Sequence, residues 1–285
     1  MNCFYLEESK EKSKYKLNYI LNKINIEENK IILPIKDKQN LSNKKSKKFV
    51  QKIKSQNIRI VALSENLNSK QNLKNELYAN NIDILNGKYL FKLLIEEIVK
   101  YICNKSNIKE EETIVSVLTN EPTITNKQII LNLAEKVKTL GIITNHIKEF
   151  QCIEDYLYNE KGIIIKISNN KQKDLLKNNI IINIDFCEEE INKYNIYSKC
   201  VIVNVNNEIK IKTKKFNGIN INNYNVIMPK KYKVKNFNDK IIYESKIFNL
   251  EYNNARKLIL KDKIKIKNLI GEKGIINEKE FKKDI

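Results

Sequence analysis

Between residues 113 and 205 the chain alternates short apolar runs with helix-like segments, and this pattern constrains its fold more than any other feature. Thr113–Leu118 (TIVSVL), Leu140–Thr144 (LGIIT), Ile163–Ile167 (IIIKI), Ile180–Phe186 (IIINIDF) and Cys200–Val205 (CVIVNV) are β-branched and apolar on successive residues. Such runs fit strands that are buried on both faces. Between the first two runs, Ile129, Ile130, Leu133, Ala134 and Val137 recur at helical spacing, and Thr125 and Gln128 have the spacing of a capping box. Asn145 is then placed to cap a helix over 146–161, whose apolar face holds Ile147, Phe150, Ile153, Tyr156 and Leu157, with Gly162 as its stop. Shorter helical turns are expected near 172–177 and 187–197. Strands of this kind separated by amphipathic helices predict a doubly wound, mostly parallel sheet of Rossmann-like α/β type with right-handed crossovers.

The flanks are read from the same signals. A smaller N-terminal α/β unit over 1–87 is expected from the strands Ile31–Ile35, Ile58–Leu63 and Ile82–Leu85, with a lysine-rich helix starting at Ser42 and another over 70–80. A long apolar helix over 88–105 joins it to the Rossmann-like domain, 106–205. The last residues, 206–285, are predicted to form a basic α+β extension, with a hairpin over Val205–Thr213, a turn at Asn217-Gly218, a helix over Leu250–Leu260 and an exposed strand at Lys263–Lys267.

Charge follows this division. The chain carries 53 Lys+Arg against 34 Asp+Glu, a formal net charge of +19. By region the net is +8 over 1–85, zero over 86–205 and +11 over 206–285. Nucleic-acid association through Lys230, Lys231, Lys233, Lys235, Lys263, Lys265 and Lys267 is therefore one alternative. It is disfavoured because only Arg59 and Arg256 are arginine, and arginine is the side chain suited to bidentate phosphate and guanine contacts. A chain rich in Ile, Lys and Asn and poor in Arg, Gly and Trp has the composition of an A/T-rich bacterial genome, so part of the charge reflects codon usage.

Other chemistries are excluded by pattern. The cysteines (Cys3, Cys103, Cys152, Cys187, Cys200) contain no C-x-x-C pair, so neither a disulfide framework nor a metal site is expected. No run reaches the ~20 apolar residues of a membrane span. The N-terminal residues do not read as an export signal, and a cytoplasmic protein is expected. P-loop, H-E-x-x-H and G-x-S-x-G patterns are absent. The acidic runs Glu110–Glu112 and Glu188–Glu190 are read as decorating the starts of elements.

In the order of its elements over residues 31–205, the chain resembles two-domain NAD(P)-dependent dehydrogenases of the shikimate dehydrogenase and glutamyl-tRNA reductase type. The resemblance implies two α/β domains and an oxidoreductase using NAD(P). The turn after the first strand departs from it: Thr119-Asn120-Glu121-Pro122-Thr123-Ile124-Thr125-Asn126 contains no glycine, where G-x-G-x-x-G would let the backbone approach a pyrophosphate. No cofactor is therefore expected, and an oxidoreductase with an atypical cofactor turn is the alternative.

In a doubly wound sheet a ligand sits at the carboxyl ends of the strands. That places a crevice for a small polar ligand at Asn120, Asn145, His146, Ser168, Asn169 and Asp185. His146 and Asp185 are the candidate catalytic residues, as the single imidazole and the carboxylate nearest a strand end. The leading expectation is a non-catalytic binding or regulatory protein on a degenerate Rossmann-like scaffold.

Overall fold

A computed structural model of the chain describes residues 3–9, 24–27, 29–35, 41–212 and 215–282. It is an α/β protein that divides into two units, one of Met1–Leu90 with Met228–Glu251 and one of Phe91–Ile227 with Tyr252–Ile285. Residues beyond 205 thus contribute to both units.

Among the described residues, unit 1 holds a five-stranded sheet: β1 (Phe4–Glu8), β2 (Asn25–Glu27), β3 (Lys30–Leu33), β4 (Ile60–Leu63) and β5 (Asp83–Ile84), in the order β2-β3-β1-β4-β5. Pairing is parallel except for β2 against β3. Helices α1 (Asn43–Lys54), α2 (Glu65–Asn68) and α3 (Gln71–Ala79) connect the strands. Leu6, Ile31, Leu33, Phe49, Val61 and Leu77 form the centre of its core. Ser42 precedes α1, but its side chain makes no capping bond.

The sequence predicts one helix over 88–105, and the structure breaks it into α4 (Lys88–Leu93) and α5 (Ile95–Ser106). The amide of Leu94 bonds back to Phe91 O, three residues away, which tightens the turn. The carbonyl of Leu93 instead accepts a bond of 2.7 Å from the Arg256 guanidinium.

Unit 2 holds, among the described residues, an eight-stranded sheet. Its strands are β6 (Ile114–Leu118), β7 (Thr139–Ile143), β8 (Lys166–Ser168), β9 (Ile180–Asn183), β10 (Val201–Asn204), β11 (Ile219–Ile227), β12 (Lys265–Gly271) and β13 (Gly274–Ile275). The order is β13-β12-β11-β10-β9-β6-β7-β8. The run from β8 to β11 is parallel, and β12 and β13 extend it antiparallel. Every residue of β9 and β10 is buried, as expected of strands covered on both faces, and each run of three apolar residues ends in a buried asparagine, Asn183 or Asn204. The chain turns from one side of the sheet to the other between β6 and β9, which is the topological switch point.

Helix α6 (Ile124–Ala134) follows β6, α7 (Ile147–Lys161) follows β7, and the short α8 (Glu188–Ile191) follows β9. The expected capping box at Thr125 is replaced by Thr123, whose hydroxyl accepts the Asn126 amide at 3.2 Å. Asn126 is drawn inward by the turn before it, which fixes the start of the helix two residues earlier. Helix α7 starts after His146 and not after Asn145, and ends at Gly162 with φ of 66°. Around 172–177 the backbone forms turns and no helix.

No hairpin forms over 205–213 among the described residues; β11 returns parallel to β10, and residues 205–212 pack as a loop at the end of the sheet. A ladder of buried amides holds that loop. Asn183 Nδ2 donates to Asn204 Oδ1, and Asn204 Nδ2 donates to Asn220 and Asn222 Oδ1 at 2.7 and 2.9 Å. Asn220 Nδ2 then reaches Ile209 O at 2.7 Å, and Asn222 Oδ1 accepts the Ile209 amide. The Asn217-Gly218 signal marks a close approach: a Cβ on Gly218 would lie 2.0 Å from Cys200 O. The remaining helices are α9 (Asp239–Ile247) in unit 1, and α10 (Tyr252–Lys261) and α11 (Glu278–Phe281) in unit 2.

Candidate functional site

Asp185 follows β9 at the switch point and organises the turn after β6. Its Oδ2 accepts the Thr119 hydroxyl at 2.6 Å and the Glu121 amide at 3.1 Å. Its Oδ1 accepts the Asn120 amide at 2.7 Å. Thr119 is fully buried, and Asn126 Nδ2 donates to its oxygen at 3.0 Å and to Glu121 O at 2.7 Å. The carboxylate of Asp185 therefore takes the amides that, in a dinucleotide-binding turn, would face a phosphate.

From this turn a chain of amide contacts runs along the strand ends. Asn120 Oδ1 accepts the Asn145 amide at 2.9 Å, Asn169 Nδ2 donates to Asn145 Oδ1 at 2.7 Å, and the Tyr194 hydroxyl donates to Asn169 Oδ1. On the other side Asn120 Nδ2 reaches Glu190 Oε1 at 3.3 Å. Four of the residues expected at the crevice (Asn120, Asn145, Asn169 and Asp185) thus belong to one hydrogen-bonded network. Ser168 stands at the end of β8 and its hydroxyl engages Asp174, not the network.

His146 is set apart from this network. Its side chain is half exposed, with Nδ1 3.5 Å from Glu149 Oε1 one turn along, and its backbone amide donates to Thr144 Oγ1. Among the described residues, no hydrogen bond or ion pair joins it to Asp185. Asp185 itself is engaged by three donors of the turn.

Sequence reasoning gave Lys92 no role. It interrupts the apolar face of α4 and is half-buried, and among the described residues its ammonium has no hydrogen-bond or ion-pair partner. Burial pushes this lysine below its usual range, partly offset by the carboxylates of Glu121 and Asp185. An unpaired group lies at the turn after β6: Asn126 is fully buried, and its Oδ1 has no partner among the described residues. The one legible signal for Lys92 was a lone charge within an apolar helical run.

The turn does not fit the pyrophosphate of a dinucleotide. Two of its amides are already bonded to an internal carboxylate, Pro122 supplies no donor, and Glu121 adds a second negative charge. A cavity of about 350 Å³ near the loop after β10 has several lining groups that are already paired. There Glu188 holds Lys212 and the Lys210 amide, and Glu272 holds Asn220.

The lysines weighed for nucleic acid fall in different units. Lys230, Lys231, Lys233 and Lys235 are exposed in unit 1, where Lys231 lies over the Tyr232 ring and Lys233 pairs with Asp239. Lys263, Lys265 and Lys267 are exposed in unit 2 and alternate with the buried Ile264 and Ile266. Among the described residues no group of three or more His, Cys, Asp or Glu is placed to hold a metal, and no helix is long and apolar enough to cross a membrane. Cys3 and Cys200 are buried thiols pushed up to about 12 by desolvation first of all.

No protein-family model matches the sequence, and no curated protein matches it. Among solved structures the chain is similar to L-tryptophan dehydrogenase from Nostoc punctiforme, at 10% identity and a TM-score of 0.35, over 82% of this chain and 75% of that one. It is similar to ornithine carbamoyltransferase from Pyrococcus furiosus at 8% identity and a TM-score of 0.34, over 91% of this chain and 84% of that one. Aspartate transcarbamoylase from Trypanosoma cruzi follows at 9% identity and a TM-score of 0.29, over 74% of this chain and 72% of that one. The expectation of a non-catalytic binding or regulatory protein is corrected by these structures, which are those of enzymes, mainly carbamoyltransferases. At these identities and TM-scores no particular activity passes from them to this chain.

Proposed function

We propose that unit 2 binds a small, polar, uncharged ligand at the carboxyl ends of β6 and β9, with no dinucleotide in the switch-point crevice. The observation that carries this reading is a polar group left over at the turn after β6: Asn126 Oδ1 is buried with no partner among the described residues, beside turn amides that Asp185 already holds. Buried polar groups without partners are few in folded proteins, and a ligand is one way such groups are satisfied. Two carboxylates at the turn repel phosphates and other anions, and Lys92 disfavours a cation, so a neutral molecule rich in carbonyl and hydroxyl groups fits best.

The test is a saturation-transfer NMR screen of the full chain with sugars, hydroxyaldehydes, amides and amino acids of up to about 15 heavy atoms. At least one should bind, and Glu121→Lys, which adds a cation at the edge of the turn, should abolish its signal. Binding that ignores this substitution, or no binding at all, refutes the reading. NAD(H), NADP(H), ATP and S-adenosylmethionine are expected to leave the melting temperature unchanged; a shift of several degrees with a nicotinamide nucleotide would favour the oxidoreductase alternative.

A further inference from the structure

We propose that unit 2 binds a second small molecule, an organic cation with an apolar body, in a cavity at the opposite end of the sheet from the Asp185 turn. None of the residues involved belongs to the ligand site proposed above.

The cavity has a volume of about 300 Å³ and is formed by the first residues of β11, the turn between β12 and β13, and Glu280 of α11. Ile219, where β11 begins, pairs with Val201 at the start of β10. The cavity therefore lies at the amino ends of the parallel strands, whereas Asp185 follows the carboxyl end of β9. Phe216, Ile219 and Ile276 give it an apolar wall, and Ile276 is buried. Three of the six glycines in the chain, Gly218, Gly271 and Gly274, line the same space. A Cβ on Gly271 would lie 2.8 Å from Asn220 O, so that position is held to glycine by its neighbour. On Gly274 a Cβ would meet nothing within 4 Å, so the hairpin leaves this part of the wall bare.

The ionisable groups of the lining are Glu272, Lys273 and Glu280, a net negative charge in a chain whose total is +19. Glu272 Oε1 accepts Asn220 Nδ2 at 3.0 Å, and Glu280 Oε1 accepts the Asn277 amide at 3.0 Å as part of the cap of α11. Among the described residues the second oxygen of each carboxylate has no donor, and neither glutamate forms an ion pair. Lys273 is exposed at the tip of the hairpin, where water solvates its charge. An ammonium group supplies the donors that the two carboxylates lack, and a ring or alkyl body displaces water from Phe216 and Ile276. An anion of the same shape meets two carboxylates instead.

Three probes with one phenylethyl body separate these terms: phenethylamine is a cation, phenylalanine a zwitterion and 3-phenylpropionate an anion. Each is titrated into the full chain at neutral pH, with binding read from the isoleucine methyl signals in carbon–proton NMR spectra and Ile276 as the reporter for this cavity. Phenethylamine should bind with a dissociation constant of about 1 mM, the range expected for a molecule of this size. It should bind about threefold or more tighter than phenylalanine, with 3-phenylpropionate weakest. The double variant Glu272→Gln, Glu280→Gln keeps side-chain carbonyls to accept from Asn220 and Asn277 but loses both charges. It should stay folded and bind phenethylamine about threefold or more weaker, the loss expected for two exposed ion pairs. The proposal is overturned if Ile276 does not shift at about 20 mM phenethylamine, where a 1 mM site would be nearly full. Equal binding of the three probes, tighter binding of phenylalanine or 3-phenylpropionate, or an unchanged affinity in the double variant overturns it as well. The turn after β6 is untouched by this experiment, so its failure leaves the ligand site there standing.

Discussion

Replacing Asp185 with alanine should weaken unit 2 and at the same time create an anion site that the native protein lacks. The carboxylate accepts the Thr119 hydroxyl at 2.6 Å, the Asn120 amide at 2.7 Å and the Glu121 amide at 3.1 Å. Hydrogen bonds to a charged partner contribute about 1.5–3 kcal/mol each when buried. Glu121 is exposed and its amide can return to water, whereas Thr119 is buried and Asn120 half-buried. Counting those two at the low end, because Asp185 is itself half-buried, gives a loss of roughly 3 kcal/mol. The vacated space leaves two amides and a hydroxyl converging where an oxyanion can sit. With a dissociation constant of about 1 mM, phosphate at about 20 mM would restore nearly 2 kcal/mol to the variant. The assay is urea unfolding followed by circular dichroism, in potassium phosphate and in potassium chloride of matched ionic strength. Wild type should show no specific phosphate effect, and the variant should recover a large part of its lost midpoint. A variant destabilised by less than about 1 kcal/mol, or a wild type stabilised equally by phosphate, would refute the view of Asp185 as a built-in anion.

Three further expectations follow from the packing. In unit 1 the buried Glu244 accepts the amides of Gly87 and Tyr89 at 2.7 Å and of Leu90 at 3.3 Å, so Glu244→Ala should cost about 3 kcal/mol or more in chemical denaturation. In unit 2 burial pushes the Glu96 carboxyl up, but the Lys136 hydrogen bond, the Arg256 guanidinium and the Asn132 amide together hold it below its ordinary 4.5. The stability this contributes is present above that value and is lost as pH falls through the lower folded one, so Glu96→Gln should shrink the acid-side loss seen in thermal melts between neutral and low pH. Gly218→Ala would drive a methyl to 2.0 Å from Cys200 O, and a thermal melt should show a loss of about 2 kcal/mol or more as β10 and β11 separate.

The strands of unit 2 were legible because a strand buried on both faces is apolar at nearly every position. The polar strand ends were legible, but their bonding was not. Asp185 meets Thr119 and Asn120 across more than sixty residues, and no local pattern announces such a pair. The expected hairpin after β10 failed for a related reason. Asn206-Asn207 has turn chemistry, yet Asn204, Asn220 and Asn222 hold the chain at Ile209, and their amides look no different in sequence from any other asparagine here. Lys92 was hidden in the same way among many lysines. The glycine-free turn and Asp185 are best understood together. The amides of a glycine-free turn at a sheet's end still need an acceptor. An aspartate one strand away supplies it from within the fold. That closure leaves Asn126 Oδ1 as the buried polar atom of the turn without a partner among the described residues.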